Sequence, residues 1–141
     1  MLGRADKSPS AFIDTNVILY LASDDRQKAQ RAEDIVGRGG VISVQVLNEI
    51  ANAGRRKMRL SWDEVQLFIE SVRGLLQVED MTLRIHQNGS ALAQRYGLSV
   101  YDGLIVASAL DSGCSVLWSE DMRDGLHVEG LLHITNPFRG L

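Results

Sequence analysis

The chain reads as an α/β protein, a parallel sheet covered by helices on both faces. Three observations predict this. Short apolar runs alternate with amphipathic stretches of helical spacing along the 141 residues. Most of the helical stretches open on a serine, threonine or aspartate and close at a glycine. Several apolar runs also end where an acidic residue begins the next turn or helix.

Taken in order, residues 1–10 read as a flexible tail whose last breaker is Ser8-Pro9-Ser10, and residues 11–141 as one domain without a linker. Ala11-Phe12-Ile13 is a short buried strand ending at Asp14-Thr15-Asn16, and residues 17–22 are compatible with a helix. Ser23-Asp24-Asp25 caps a helix over about 26–37, where Ala29, Ala32, Ile35 and Val36 fall on one face. Gly37-Arg38-Gly39-Gly40 stops it; it lacks the dinucleotide fingerprint and reads as a turn. Val41-Ile42 is the second strand. Ser43 caps a helix running to about Lys57 with Val44, Leu47, Ile50 and Ala51 as its stripe. Ser61 and Glu64 form a capping box for a helix that turns Val65, Phe68, Ile69 and Val72 inward. A third strand is expected near Leu76–Val78. Thr82 starts a helix carrying Ile85, Leu92 and Tyr96, and Ser99 caps another over 100–111 that is apolar nearly all round. Residues 115–118 and 131–134 complete the strands, and Pro137 ends the pattern.

Composition excludes several classes. At 45% hydrophobic and 23% charged the chain resembles an ordinary globular protein, and no apolar stretch approaches the ~20 residues of a membrane span. The N-terminus has charges and turn formers but no apolar h-region, so a cytoplasmic protein is expected. Cys114 is the only cysteine, which leaves no internal disulfide and no multi-cysteine zinc site. The net charge of −3 is unusual for a protein that binds nucleic acid. One or two bound dications would bring it close to neutral.

Asp14, Glu49, Asp102 and Asp121 carry the chemistry. In open parallel sheets ligands bind at the carboxyl ends of the strands. Asp14 follows the first strand, Asp121 lies three residues past Trp118, Glu49 lies about two turns into its helix and Asp102 in the first turn of another. Each has a structural explanation on its own: Asp14 as a helix cap, Asp102 in the box Ser99-x-x-Asp102, Asp121 in a turn, Glu49 on a solvated face. All four coinciding at one end of the sheet is better explained by a shared site. Two like charges 4 Å apart repel by ~4 kcal/mol at an effective dielectric of ~20, against a net domain stability of ~5–15 kcal/mol. Four ionised carboxylates in one cleft therefore call for protons or a cation. An oxygen-only set suits Mg²⁺ or Mn²⁺, which can activate a water for attack on a phosphodiester.

The segments Phe12–Tyr20, Ser43–Glu49, Tyr101–Ala107 and Leu117–Met122 resemble, in order, the acidic blocks of PIN-domain ribonucleases. The closing Ile134–Phe138 is similar to the VapC-type toxins of toxin–antitoxin pairs. This resemblance implies a three-layer α/β/α sandwich with a central parallel sheet in the order 3-2-1-4-5. It also implies metal-dependent endoribonuclease activity, leaving 5′-phosphate and 3′-hydroxyl ends. Matched block by block, Asp14, Glu49, Asp102 and Asp121 take the places of the acidic quartet, with Asn16 and Ser119 as supporting polar residues. Glu120 is an alternative ligand, Asp121 the favoured one. A toxin of this kind would act on RNA, form a homodimer and be restrained by a cognate antitoxin.

The basic run Arg55-Arg56-Lys57-Met58-Arg59 is a candidate grip on an RNA backbone, or else complements its helix dipole. Arg123 is a candidate phosphate contact or a surface arginine. His86, His127 and His133 show no metal spacing, and Trp62 and Phe68 fall on a helix stripe expected to be core or dimer surface. A haloacid-dehalogenase-like phosphatase wants an aspartate where Asn16 stands and a late lysine, yet the three lysines are Lys7, Lys28 and Lys57. No P-loop occurs. A housekeeping RNA-processing nuclease and a non-catalytic module binding a partner's basic segment are the alternatives to a toxin.

Overall fold

The computed structural model describes residues 11–141, and the tail expected over residues 1–10 lies outside them. β1 (Ala11–Ile13) runs through the centre of the sheet, and its Phe12 and Ile13 are wholly buried. A strand covered on both faces needs such a continuous apolar run. α1 (Thr15–Leu19) follows with Asp14 as its N-cap and continues into a 3₁₀ turn over Tyr20–Ala22. α2 (Arg26–Gly37) is capped by Asp25 and buries Ala32, Ile35 and Val36. β2 (Val41–Ser43) leads directly into α3 (Val44–Arg56), whose N-cap is Ser43. The buried residues of α3 are Val46, Ile50 and Gly54, so its inner stripe lies one position off the expected line through Val44 and Leu47. α4 (Trp62–Leu75) has both halves of the Ser61–Glu64 capping box. β3 (Gln77–Glu79), α5 (Leu83–Tyr96), α6 (Val100–Asp111) and β4 (Val116–Trp118) follow, close to where the sequence places them.

The last stretch differs. Besides β6 (Leu132–Thr135), where the fifth strand is expected, a two-residue strand β5 (His127–Val128) pairs antiparallel to it. The sheet order is β3-β2-β1-β4-β6-β5, and every other neighbouring pair is parallel. The parallel strands thus keep the 3-2-1-4-5 order, and β5 is added at the edge. Its hairpin turns through Glu129 and Gly130 at φ 54° and 67°, with Leu131 N–H closing on the Val128 carbonyl at 3.0 Å. A glutamate at positive φ is uncommon. Here Arg95 (2.8 Å) and the Tyr96 hydroxyl (2.9 Å), at the end of α5, hold its carboxylate in place.

α5 and α6 cross at glycines. A Cβ on Gly103 would lie 2.3 Å from the Gly89 carbonyl oxygen, so only a hydrogen fits there. This contact fixes the start of α6, and with it Asp102. Among the described residues no helix is long and apolar enough to cross a membrane.

Candidate active site

The site grows out of the register between β1 and β4. Ile13 pairs with Trp118, and the Asp14 amide donates to the Trp118 carbonyl at 2.9 Å. The next residues of the two strands, Asp14 and Ser119, therefore stand side by side, and Ser119 Oγ donates to Asp14 Oδ2 at 2.7 Å. Asp14 Oδ1 accepts the Thr15 amide at 2.7 Å, so the residue caps α1 as well. Asn16 ties the arrangement together. Its Nδ2 donates to Asp14 Oδ2 at 3.2 Å and to Asp121 Oδ2 at 3.1 Å, while its Oδ1 accepts the Glu120 amide at 3.1 Å.

The other two acids arrive on helices. Glu49 does not sit on a solvated face: Thr15 Oγ1 donates to its Oε1 at 2.5 Å and Gln45 Nε2 to its Oε2 at 3.0 Å. Asp102 stands in the first turn of α6, where Ser99 Oγ accepts its amide at 3.0 Å. Only this half of a capping box forms, in contrast to Ser61 and Glu64.

Asp14, Glu49, Asp102 and Asp121 line one cleft of 880 Å³. Burial raises the Asp14 carboxyl to about 7, with the negative charges of Glu49 and Asp102 adding to the shift and the Ser119 and Thr15 bonds opposing it. Asp102 is raised by partial burial, then by Glu49 and Asp121. The four carboxylates thus feel one another across the cleft. Among the described residues none of them makes a salt bridge.

Their fit to a cation is specific. Among the described residues no three His, Cys, Asp or Glu side chains are gathered into a ready-made metal cage. A fully protein-ligated ion is therefore a poor match. The donors are all oxygen, those of Asp14, Glu49 and Asp121 are held by hydrogen bonds, and a Mg²⁺-like ion commonly keeps several waters while using one or two carboxylates and a phosphate. The set fits an ion of that kind.

Of the remaining candidates, Arg56 and Lys57 line the cleft, while Arg55 donates to the Leu60 carbonyl at 2.9 Å and lies over the Trp62 ring at 4.7 Å. Arg59 and Arg123 do not line it, and Arg123 donates to the Tyr96 carbonyl at 3.1 Å. Glu120 is engaged elsewhere, by Lys28 at 2.5 Å and the Tyr20 hydroxyl at 2.7 Å. His127 and His133 stack on the β5–β6 hairpin, Phe68 packs on the core, and Trp62 is 60% exposed rather than core. Sequence reasoning missed Thr15, Gln45, Asn48, Asn52 and Tyr101, all in the cleft wall. The signal for Gln45 and Asn52 was their spacing, four before and three after Glu49, which puts them on its helix face.

The PIN domain family profile matches residues 11–124. The chain belongs to the PIN domain family. No curated protein matches it by sequence. Among solved structures it is similar to a toxin–antitoxin complex from Klebsiella pneumoniae (22% identity, TM-score 0.70, covering 92% of this chain and 98% of that one). It is also similar to the DNA-bound VapBC of Salmonella typhimurium (16%, 0.69, 92% and 98%). A third similar structure is the sarcin–ricin loop-cleaving toxin VapC20 of Mycobacterium tuberculosis (17%, 0.63, 79% and 90%). At these identities the likeness speaks for the fold.

Proposed function

We propose that the chain is a divalent-metal-dependent endoribonuclease and the toxin of a type II toxin–antitoxin pair. The observation that carries this is the convergence of Asp14, Glu49, Asp102 and Asp121 on one cleft of a PIN domain. Mg²⁺ or Mn²⁺ held by Asp14 and its neighbours would polarise the phosphate and supply an activated water. The protein's own part is orientation. Ser119 and Asn16 fix the Asp14 carboxylate, Thr15 and Gln45 fix Glu49, and Asn16 steadies Asp121. Such outer hydrogen bonds lower the cost of bringing ligands into register. Arg56 and Lys57 give the cleft positive charge for the RNA backbone. The toxin assignment draws on the similar structures, one of which is described as a toxin–antitoxin complex and another as a toxin that cleaves the sarcin–ricin loop. A basic segment of a cognate antitoxin would compensate the same carboxylates, and a homodimer is the expected assembly.

The purified protein should cleave RNA with Mn²⁺, leaving 5′-phosphate ends, and lose at least about a hundredfold in rate with EDTA or on Asp14→Asn. Cleavage that persists in EDTA, or in the Asp14→Asn protein, contradicts the assignment.

A further inference from the structure

We propose that the cleft holds a subsite for one unpaired RNA base, in which Tyr101 is the stacking platform and the amides of Asn48 and Asn52 read the base edge. This rests on the ribonuclease reading and specifies where its substrate binds. Tyr101 lines the cleft beside Asp102, yet the residue is 62% exposed. Its hydroxyl makes no hydrogen bond among the described residues, so no polar contact within the chain holds the ring. Asn48 and Asn52 are likewise exposed, line the cleft from α3, and have side-chain amides with no protein partner among the described residues. Gln45, on the same face, is occupied by Glu49.

Volume and charge point the same way. An ion with six waters takes up roughly 200 Å³ at ~30 Å³ per water, a fraction of the 880 Å³ available. The same cleft is lined by a ring, two planar amides and the cations Arg56 and Lys57, the inventory for one nucleotide rather than for a duplex. Duplex binding draws on many phosphate contacts, which a chain of net charge −3 with two cations in the cleft does not supply. Stacking needs an unstacked base, and amides can pair with its free edge.

Steady-state cleavage of short single-stranded oligoribonucleotides tests this, using four oligonucleotides that differ only in the base at the cleaved position. For Tyr101→Ala, KM should rise about ten- to hundredfold, the usual worth of one stacked base, with a much smaller change in kcat. Tyr101→Phe should restore most of the loss, because the ring and not the hydroxyl stacks. Trp62→Ala, an exposed aromatic outside the cleft, is the control and should leave KM unchanged. The double variant Asn48→Ala, Asn52→Ala should narrow the spread of kcat/KM among the four bases severalfold. If Tyr101→Ala matches wild type in KM, or the spread survives loss of both amides, the subsite is overturned while the nuclease stands. If wild type cleaves none of the oligonucleotides or any other RNA, the nuclease reading itself has failed.

Discussion

Asp14 is a carboxylate in an unfavourable place. Only 5% of it is exposed, two other acids face it, and its carboxyl is pushed up to about 7. Three hydrogen-bond donors hold it there, and no cation among the described residues pairs with it. Well below pH 3.8 the group is protonated whether the chain is folded or not. From the unfolded value of 3.8 up to about 7 only the unfolded chain releases the proton, so stability falls through that window and levels off above it. The shift corresponds to roughly 4 kcal/mol at ~1.4 kcal/mol per unit. Asparagine caps a helix as well as aspartate does and carries no charge. In EDTA, the stability of Asp14→Asn relative to wild type should therefore increase between pH 5 and pH 8, as urea melts would show. A constant difference across that range means that Asp14 is ionised at no cost to the fold. The local sequence was a fair guide here. Asp14 was identifiable from its position after a strand, and Asn16 and Ser119 through the resemblance to a family, but Thr15 was not, because its contact with Glu49 bridges 34 positions.

At the level of elements, caps made the helices legible and small strands resisted. Ser43, Ser61, Thr82 and Ser99 each accept a backbone amide of the following first turn, as the sequence suggests. β5 was invisible because two residues give no alternation, only Val128 of the pair is buried, and its turn uses a glutamate at positive φ that tertiary contacts impose. The α5–α6 crossing was equally hidden, since Gly89 and Gly103 read as ordinary helix glycines until they meet. Gly103→Ala must push the helices apart, because its Cβ would fall 2.3 Å from a backbone oxygen. The expected cost is about 1–3 kcal/mol or more, seen as a lower thermal midpoint, along with weaker activity as Asp102 moves. Gly37→Ala, with nothing within 4 Å, should be neutral or slightly stabilising. Equal melting of the two variants would show that the glycine contact does not set the crossing.

For the molecule as a whole, topology does what no local segment can. Four acids from the junction after β1, from α3, from α6 and from the loop after β4 meet because parallel strands deliver their carboxyl ends to one side. The strand order was legible through resemblance to a family, whereas the division of the basic run was not. Only the fold decides that Arg56 and Lys57 enter the cleft while Arg55 turns to Leu60 and Trp62. The arrangement gathers four acids, none of which makes a salt bridge among the described residues, a cost to the fold that a bound cation would offset. Calorimetric titration of Mn²⁺ into the metal-free protein at pH 7.5 addresses this claim directly. Wild type should bind in the cleft and be stabilised against heat, with affinity at least about tenfold weaker in Asp14→Asn, comparable to losses on disturbing a metal site elsewhere. Equal Mn²⁺ affinity in the two proteins, or no binding by wild type, would contradict it.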